Sequence, residues 1–183
     1  MKKIILLLII LIPSFMAHAQ FEKAELQASG LTCSMCSNAI QKAIKTLNFV
    51  EGVQTDLNKN IFTILFKKDA AVDFDQIKNK VEDAGFSVAN FWVTTNIRHF
   101  DVDNDAHTQL GGMNFHFMHV QPATLDGVYR LQLIDKDFVA SRDFKKFTGY
   151  TSMSCYQTGV MQACCKSKET AVAGANRIYH VTM

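Results

Sequence analysis

The chain has 183 residues, 48% hydrophobic, 20% charged and 10% aromatic, with two prolines. This excludes a disordered, collagen-like or low-complexity protein, because apolar surface is ample and no compositional bias prevents its burial. The formal charge of +2 comes from 19 Lys and Arg against 17 Asp and Glu, and Lys2 and Lys3 account for the whole excess. The remainder is neutral and carries no electrostatic footprint for nucleic acid. A multi-span membrane protein is excluded too, since the one long apolar run is Ile4–Ile12.

Residues 1–19 read as an export signal. Lys2-Lys3, the run Ile4–Ile12, Pro13 and Ala17-His18-Ala19 are its basic, apolar and cleavage regions. The run is far short of the ~20 residues a spanning helix needs, so no membrane span is expected after its removal. Export to a periplasm or to the outside is expected, with the mature chain starting at Gln20; the alternative is a buried N-terminal helix.

Residues 20–93 read as one unit. Phe21–Ser29 is a first strand ending at Gly30. Cys36, Ile40, Ala43/Ile44 and Leu47 then recur at helical spacing and mark one face of a helix. Val53–Leu57 and Ile61–Lys67 flank the polar turn Asn58-Lys59-Asn60, a hairpin whose second strand alternates Phe62, Ile64 and Phe66 against Ile61, Thr63 and Leu65. Asp73 caps a second helix with Gln76 three residues on. Phe74, Ile77, Val81 and Ala84 form its apolar stripe, Gly85 stops it, and Phe86–Val93 is a last strand. The fold class is therefore α+β: a ferredoxin-like βαββαβ unit, followed by a mostly antiparallel β unit over residues 94–183.

In that second unit Arg98–Asp103 and Met113–Val120 read as strands, with a polar loop between them that contains Gly111-Gly112. Asp126-Gly127 signals a turn, Val128–Asp135 alternates as a strand, Ser141–Phe147 fits a short helix, and Arg177–Met183 a terminal strand.

The chemistry concentrates in Gly30-Leu31-Thr32-Cys33-Ser34-Met35-Cys36. Two thiols two residues apart, at a turn opening a helix, can converge on one ion, and the helix N-terminus favours their thiolate form. Soft thiolates select soft ions such as Cu(I). Structural zinc normally takes four ligands, which disfavours a closed zinc site here. A plain disulfide or a redox dithiol is the alternative for the same pair, although the aromatic-Cys-Gly-Pro-Cys context of a thioredoxin-like site is absent.

This region resembles the heavy-metal-associated domain family of copper chaperones and copper-ATPase metal-binding domains. The resemblance rests on Gly30-Leu31-Thr32-Cys33-x-x-Cys36, on Glu51-Gly52-Val53 and on Glu82-Asp83-Ala84-Gly85-Phe86. It implies Cys33 and Cys36 as Cu(I) ligands, with Phe86 at the family's aromatic position near the metal loop. It also implies a copper-transporting or copper-accepting protein as partner. Leu31 stands where the family usually has methionine, and Phe86 where bacterial chaperones more often have tyrosine. Export matches the family's periplasmic mercury-binding members, so Hg(II) is an alternative cargo, as is Ag(I).

Two weaker groupings lie in the second unit. His116 and Met118 share one strand face, with His119 on the other; they form either part of an imidazole-thioether metal site or ordinary strand positions. Cys155, Cys164 and Cys165 suggest a disulfide from Cys155 to Cys164 or Cys165, or a second thiolate site at Cys164 and Cys165. Cysteine count alone, five in the chain, leaves one thiol over. The expected function is non-enzymatic: binding, sequestration or transfer of Cu(I). The alternatives are Hg(II) binding and a thiol-disulfide oxidoreductase using the same cysteines.

Overall fold

The computed structural model describes residues 20–31, 34–162, 165 and 177–183. The expected leader over 1–19, Cys33 and Cys164 lie outside the described residues.

The first unit follows the expected order: β1 (Gln20–Ser29), α1 (Ser34–Lys45), β2 (Val50–Asp56), β3 (Ile61–Phe66), α2 (Phe74–Asp83) and β4 (Ser87–Val102). Local chemistry sets the start of α2. Asp73 accepts a hydrogen bond from the Gln76 backbone N–H at 3.2 Å, and the Gln76 side chain donates to the same carboxylate at 3.0 Å. The result is a tight N-cap for α2. Along β3, Phe62, Ile64 and Phe66 are buried while Ile61, Thr63 and Leu65 are half-exposed, which is the period of two that a sheet imposes. In β1 a bulge between Phe21 and Lys23 lets both Phe21 and Ala24 point inward.

The second unit adds β5 (Ala106–Leu110), β6 (Met113–Phe117), β7 (Ala123–Leu133), α3 (Ser141–Phe147), a 3-10 turn at Thr148–Tyr150, α4 (Cys155–Thr158) and β8 (Ile178–Thr182). All strands join one eight-stranded sheet in the order β2-β3-β1-β4-β7-β8-β6-β5. Pairing is antiparallel throughout except between β6 and β8.

Three local expectations change. The strands expected at Phe86–Val93 and Arg98–Asp103 are one, so the 93/94 boundary falls inside β4. The first half of β4 pairs with β1, and Phe91–Val102 pairs with β7. An edge that an isolated ferredoxin-like unit would leave open is thereby covered. Asp126-Gly127 is not a turn. It lies within β7 opposite a bulge between Ile97 and Phe100, and Gly127 meets the irregularity with a φ of +118°. The polar loop contains β5, joined to β6 by Gly111-Gly112, whose φ values of +58° and +77° suit the tight turns of hairpins.

One core runs through both units. Phe74 of α2 packs edge-on to Phe21 at 5.3 Å and to Tyr179 of β8 at 5.2 Å, and lies 5.7 Å from Phe91. Phe115 of β6 joins them at 6.0 Å from Phe21. An ion pair reinforces this contact: Arg177 donates to Asp75 of α2 through Nε at 2.7 Å and Nη2 at 3.2 Å. The Tyr179 hydroxyl donates to the same carboxylate at 3.1 Å.

Candidate functional site

The β1–α1 junction carries the first candidate site. β1 ends at Ser29, and Gly30 turns the chain with a φ of +83°, a conformation L side chains rarely adopt. A Cβ at Gly30 would stand 3.9 Å from the Phe86 ring, which places the aromatic residue after α2 beside the start of the loop. Leu31 is partly buried and packs on the core, the anchoring role that the resemblance gives to a methionine there. α1 begins at Ser34, so Cys36 lies in its first turn, half-buried, next to a Met35 that is 81% exposed. Backbone N–H groups at a helix start, together with the helix dipole, favour negative charge there. Ile40 and Ile44 are fully buried and seat the helix on the sheet, while Gln41 donates to the Val53 carbonyl at 2.8 Å. The turn bearing Cys36 is thus held on a rigid frame. Cys33 itself is outside the described residues.

The second unit gathers its own donors. His107 of β5 is the cross-strand partner of His116 of β6, and His116 that of His180 of β8. The three imidazoles form a row, with ring centroids 4.5 Å and 5.1 Å apart. Alternation puts them on the sheet face opposite Phe115, Phe117, Tyr179 and Val181 of the core. α4 covers that face: Tyr156 packs edge-on to His180 at 5.1 Å, and the Cys155 sulfur lies 3.5 Å from His107 Nε2. Ligand atoms of His107, His116 and Cys155 all lie within 4.8 Å of one another.

Carboxylates fix two of the rings. His116 Nε2 lies 2.9 Å from Asp105 Oδ1, and His180 Nδ1 lies 3.0 Å from Asp135 Oδ1. A carboxylate accepts, so these nitrogens carry protons, and in a neutral ring the opposite nitrogen carries the lone pair. Those nitrogens, His116 Nδ1 and His180 Nε2, are buried and have no hydrogen-bond partner among the described residues. Each such orphan costs about 1–3 kcal/mol. Burial, with the neighbouring His180 and His107, outweighs Asp105 and holds His116 far below its ordinary value, at about 4. Burial and then His180 lower His107 as well. Both rings are neutral near pH 7. Burial alone would raise the Asp135 carboxyl, but His180 and Arg177 more than offset this and keep it low.

The groupings read from sequence fare differently. His116 belongs to the cluster, whereas Met118 packs with Ile134, Val139 and Tyr156. His119 lies past the end of β6 with a φ of +56°, is exposed and stacks on Tyr150 at 4.2 Å. Among the described residues no disulfide joins Cys155 to Cys165. The two are buried together with Ile178, beside Met153 and Met161, and Cys164 is outside the described residues. Sequence alone does not join His107, Cys155 and His180 in one place; strand register and α4 do. A histidine in the apolar run Ile178-Tyr179-His180-Val181 was the available signal, but strand register alone brings it to His116.

The heavy-metal-associated domain model matches residues 25–87. The copper chaperone CopZ of Staphylococcus haemolyticus is 32% identical over 63 residues, covering 34% of this chain and 91% of CopZ. A protein described as a probable copper-transporting ATPase, HMA5 of Arabidopsis thaliana, is 37% identical over 67 residues, 37% of this chain and 7% of the ATPase's own length. The solution structure of the yeast copper transporter domain Ccc2a, in apo and Cu(I)-loaded states, shares 31% identity, with 36% of this chain and 88% of that domain covered and a TM-score of 0.33. Through residues 25–87, which include Cys33 and Cys36, the chain belongs to the heavy-metal-associated domain family.

Proposed function

We propose that the chain is a non-enzymatic binder of Cu(I), held by the thiolates of Cys33 and Cys36 and either sequestered or passed to a copper-transporting or copper-accepting protein. The observation that carries this reading is the placement of Cys36 in the first turn of α1, half-buried beside an exposed Met35, in the segment that matches the family. The copper names of the relatives support the choice of cargo.

The chemistry follows from two ligands. A two-thiolate site leaves a monovalent soft ion open to an incoming thiolate or thioether. A partner sulfur joins the ion, raises its coordination number and then displaces the original ligands one at a time. Met35, exposed beside Cys36, leaves that approach open, and Phe86 with Leu31 backs the start of the loop while ligands exchange. Residues 1–19 read as an export signal, so the protein works in a periplasm or outside the cell; among the described residues no helix is long and apolar enough to cross a membrane.

The test is an anaerobic titration of the reduced protein with Cu(I) against a competing chelator, beside Cys33→Ser/Cys36→Ser. The double substitution is expected to abolish one tight equivalent. Unchanged stoichiometry and affinity would overturn the assignment, as would a strong preference for Hg(II) over Cu(I) in direct competition.

A further inference from the structure

We propose that His107, His116 and Cys155 form a second, buried metal site, distinct from the Cys33–Cys36 loop and selective for monovalent copper. The three donors reach one point although they come from β5, β6 and α4: their ligand atoms lie within 4.8 Å of each other. His107 Nε2 and the Cys155 sulfur are already 3.5 Å apart.

The histidines are prepared as metal ligands are. A ligating imidazole usually donates its other N–H to a carboxylate, which fixes the tautomer and ring orientation. His116 has this arrangement, with Asp105 at 2.9 Å on Nε2 and a buried Nδ1 that has no partner among the described residues. His180 repeats it one strand along the row, with Asp135 at 3.0 Å on Nδ1 and an equally bare Nε2. A protein interior seldom keeps one buried nitrogen without a partner. His116 Nδ1, with a carboxylate on the opposite nitrogen and the His107 and Cys155 donors beside it, marks a place where a cation satisfies a lone pair.

Ligand type and charge select the ion. Imidazole with thiolate suits copper and zinc. Structural zinc takes four ligands, and the converging set has three. One thiolate neutralises a monovalent ion within the donor set, and the Asp105 charge on His116 lies at the partly exposed margin of the site. The surroundings are soft as well: Cys155 is packed with Cys165 and Ile178, with Met153 and Met161 against them. His107, half-buried at the cluster's edge, is the side from which the ion enters.

The test uses the full chain carrying Cys33→Ser/Cys36→Ser, so that the first site contributes nothing. Titration with Cu(I) against a chelator is expected to find one remaining equivalent, and X-ray absorption at the copper edge to show imidazole scattering with one sulfur. Adding Cys155→Ala should remove that equivalent while far-UV circular dichroism stays unchanged. Asp105→Asn sits at the half-exposed margin and spares the packing of the cluster; it should weaken copper binding about 10–100-fold. In the chain with Cys33 and Cys36 intact, Cys155→Ala should keep one equivalent, so failure of either site is read independently. Three results would overturn the proposal: no equivalent in the Cys33→Ser/Cys36→Ser protein, sulfur-only scattering, or displacement of the copper by equimolar Zn(II).

Discussion

The two halves of the sheet build their donor clusters in opposite ways. In the ferredoxin-like half the proposed donors, Cys33 and Cys36, fall within four consecutive residues of the chain. In the added half they come from His107, His116 and Cys155, brought together by the pairing of β5 with β6 and by α4 folding over that face. A contiguous pair stays together when the surrounding packing loosens, because a few backbone dihedrals set its geometry. A cluster made by register exists only while the sheet is intact. If both proposed sites take copper, the first kind suits an ion that must leave, and the second an ion that stays.

The largest expected effect comes from the ring cluster that ties the halves together. Phe74 is fully buried and touches Phe21, Phe91 and Tyr179, so Phe74→Ala should destabilise the protein by about 3–5 kcal/mol. Since the core is shared, the loss should appear as one cooperative transition. Denaturant unfolding followed by fluorescence of Trp92, the single tryptophan and a β4 residue paired with Gln132 of β7, should coincide with unfolding followed by circular dichroism. Separate midpoints would show that the halves unfold independently, and the comparison would become one between two domains.

A smaller effect tests the polar link. Asp75→Ala removes the acceptor for two Arg177 bonds and for the Tyr179 hydroxyl, while Arg177 keeps Asp135 at 2.8 Å. Losing charged hydrogen bonds at a partly buried site should cost about 2 kcal/mol. The damage should fall on β8, read as faster amide exchange at Tyr179, His180 and Val181. Copper affinity at Cys33 and Cys36 should not change. Equal loosening of α1 would mean that the contiguous site also depends on the added strands.

The same contrast governs what the sequence reveals. The alternation in β3, the Asp73–Gln76 cap, the apolar stripe of α2 and the helix Ser141–Phe147 are local patterns, and each appears where its residues predict it. The Cys33–Cys36 motif is legible for the same reason. β5 was hidden because Ala106-His107-Thr108-Gln109 is polar, and its pairing with β6 makes it a strand. The continuity of β4 past residue 93 was hidden because a strand of 16 residues depends on two different neighbours. The row of His107, His116 and His180 depends on two registers, one antiparallel and one parallel. Nothing local in the chain encodes a parallel pairing across some sixty residues.

The smallest expected effect lies on the sheet face where β1 reaches across β4 to β7. Arg130 of β7 donates to Glu25 of β1 at 2.6 Å, and its guanidinium lies 4.2 Å from the Trp92 ring of the strand between them. Burial pushes the Glu25 carboxyl up, but Arg130, by hydrogen bond and charge, and then Lys23 more than offset it, so the group sits below its ordinary value of 4.5. A carboxyl lowered by folding contributes stability that is present above that value and is lost as pH falls through the folded pKa. Arg130 is 48% exposed, so solvent screening limits the pair to under about 1 kcal/mol. Glu25→Gln should therefore flatten the decline in stability below pH 4.5 by that small amount, leave stability above that pH lower by the same amount, and reduce its sensitivity to salt. An acid limb as steep as in the unaltered chain would show that Arg130 holds β7 against the first unit through Trp92, not through Glu25.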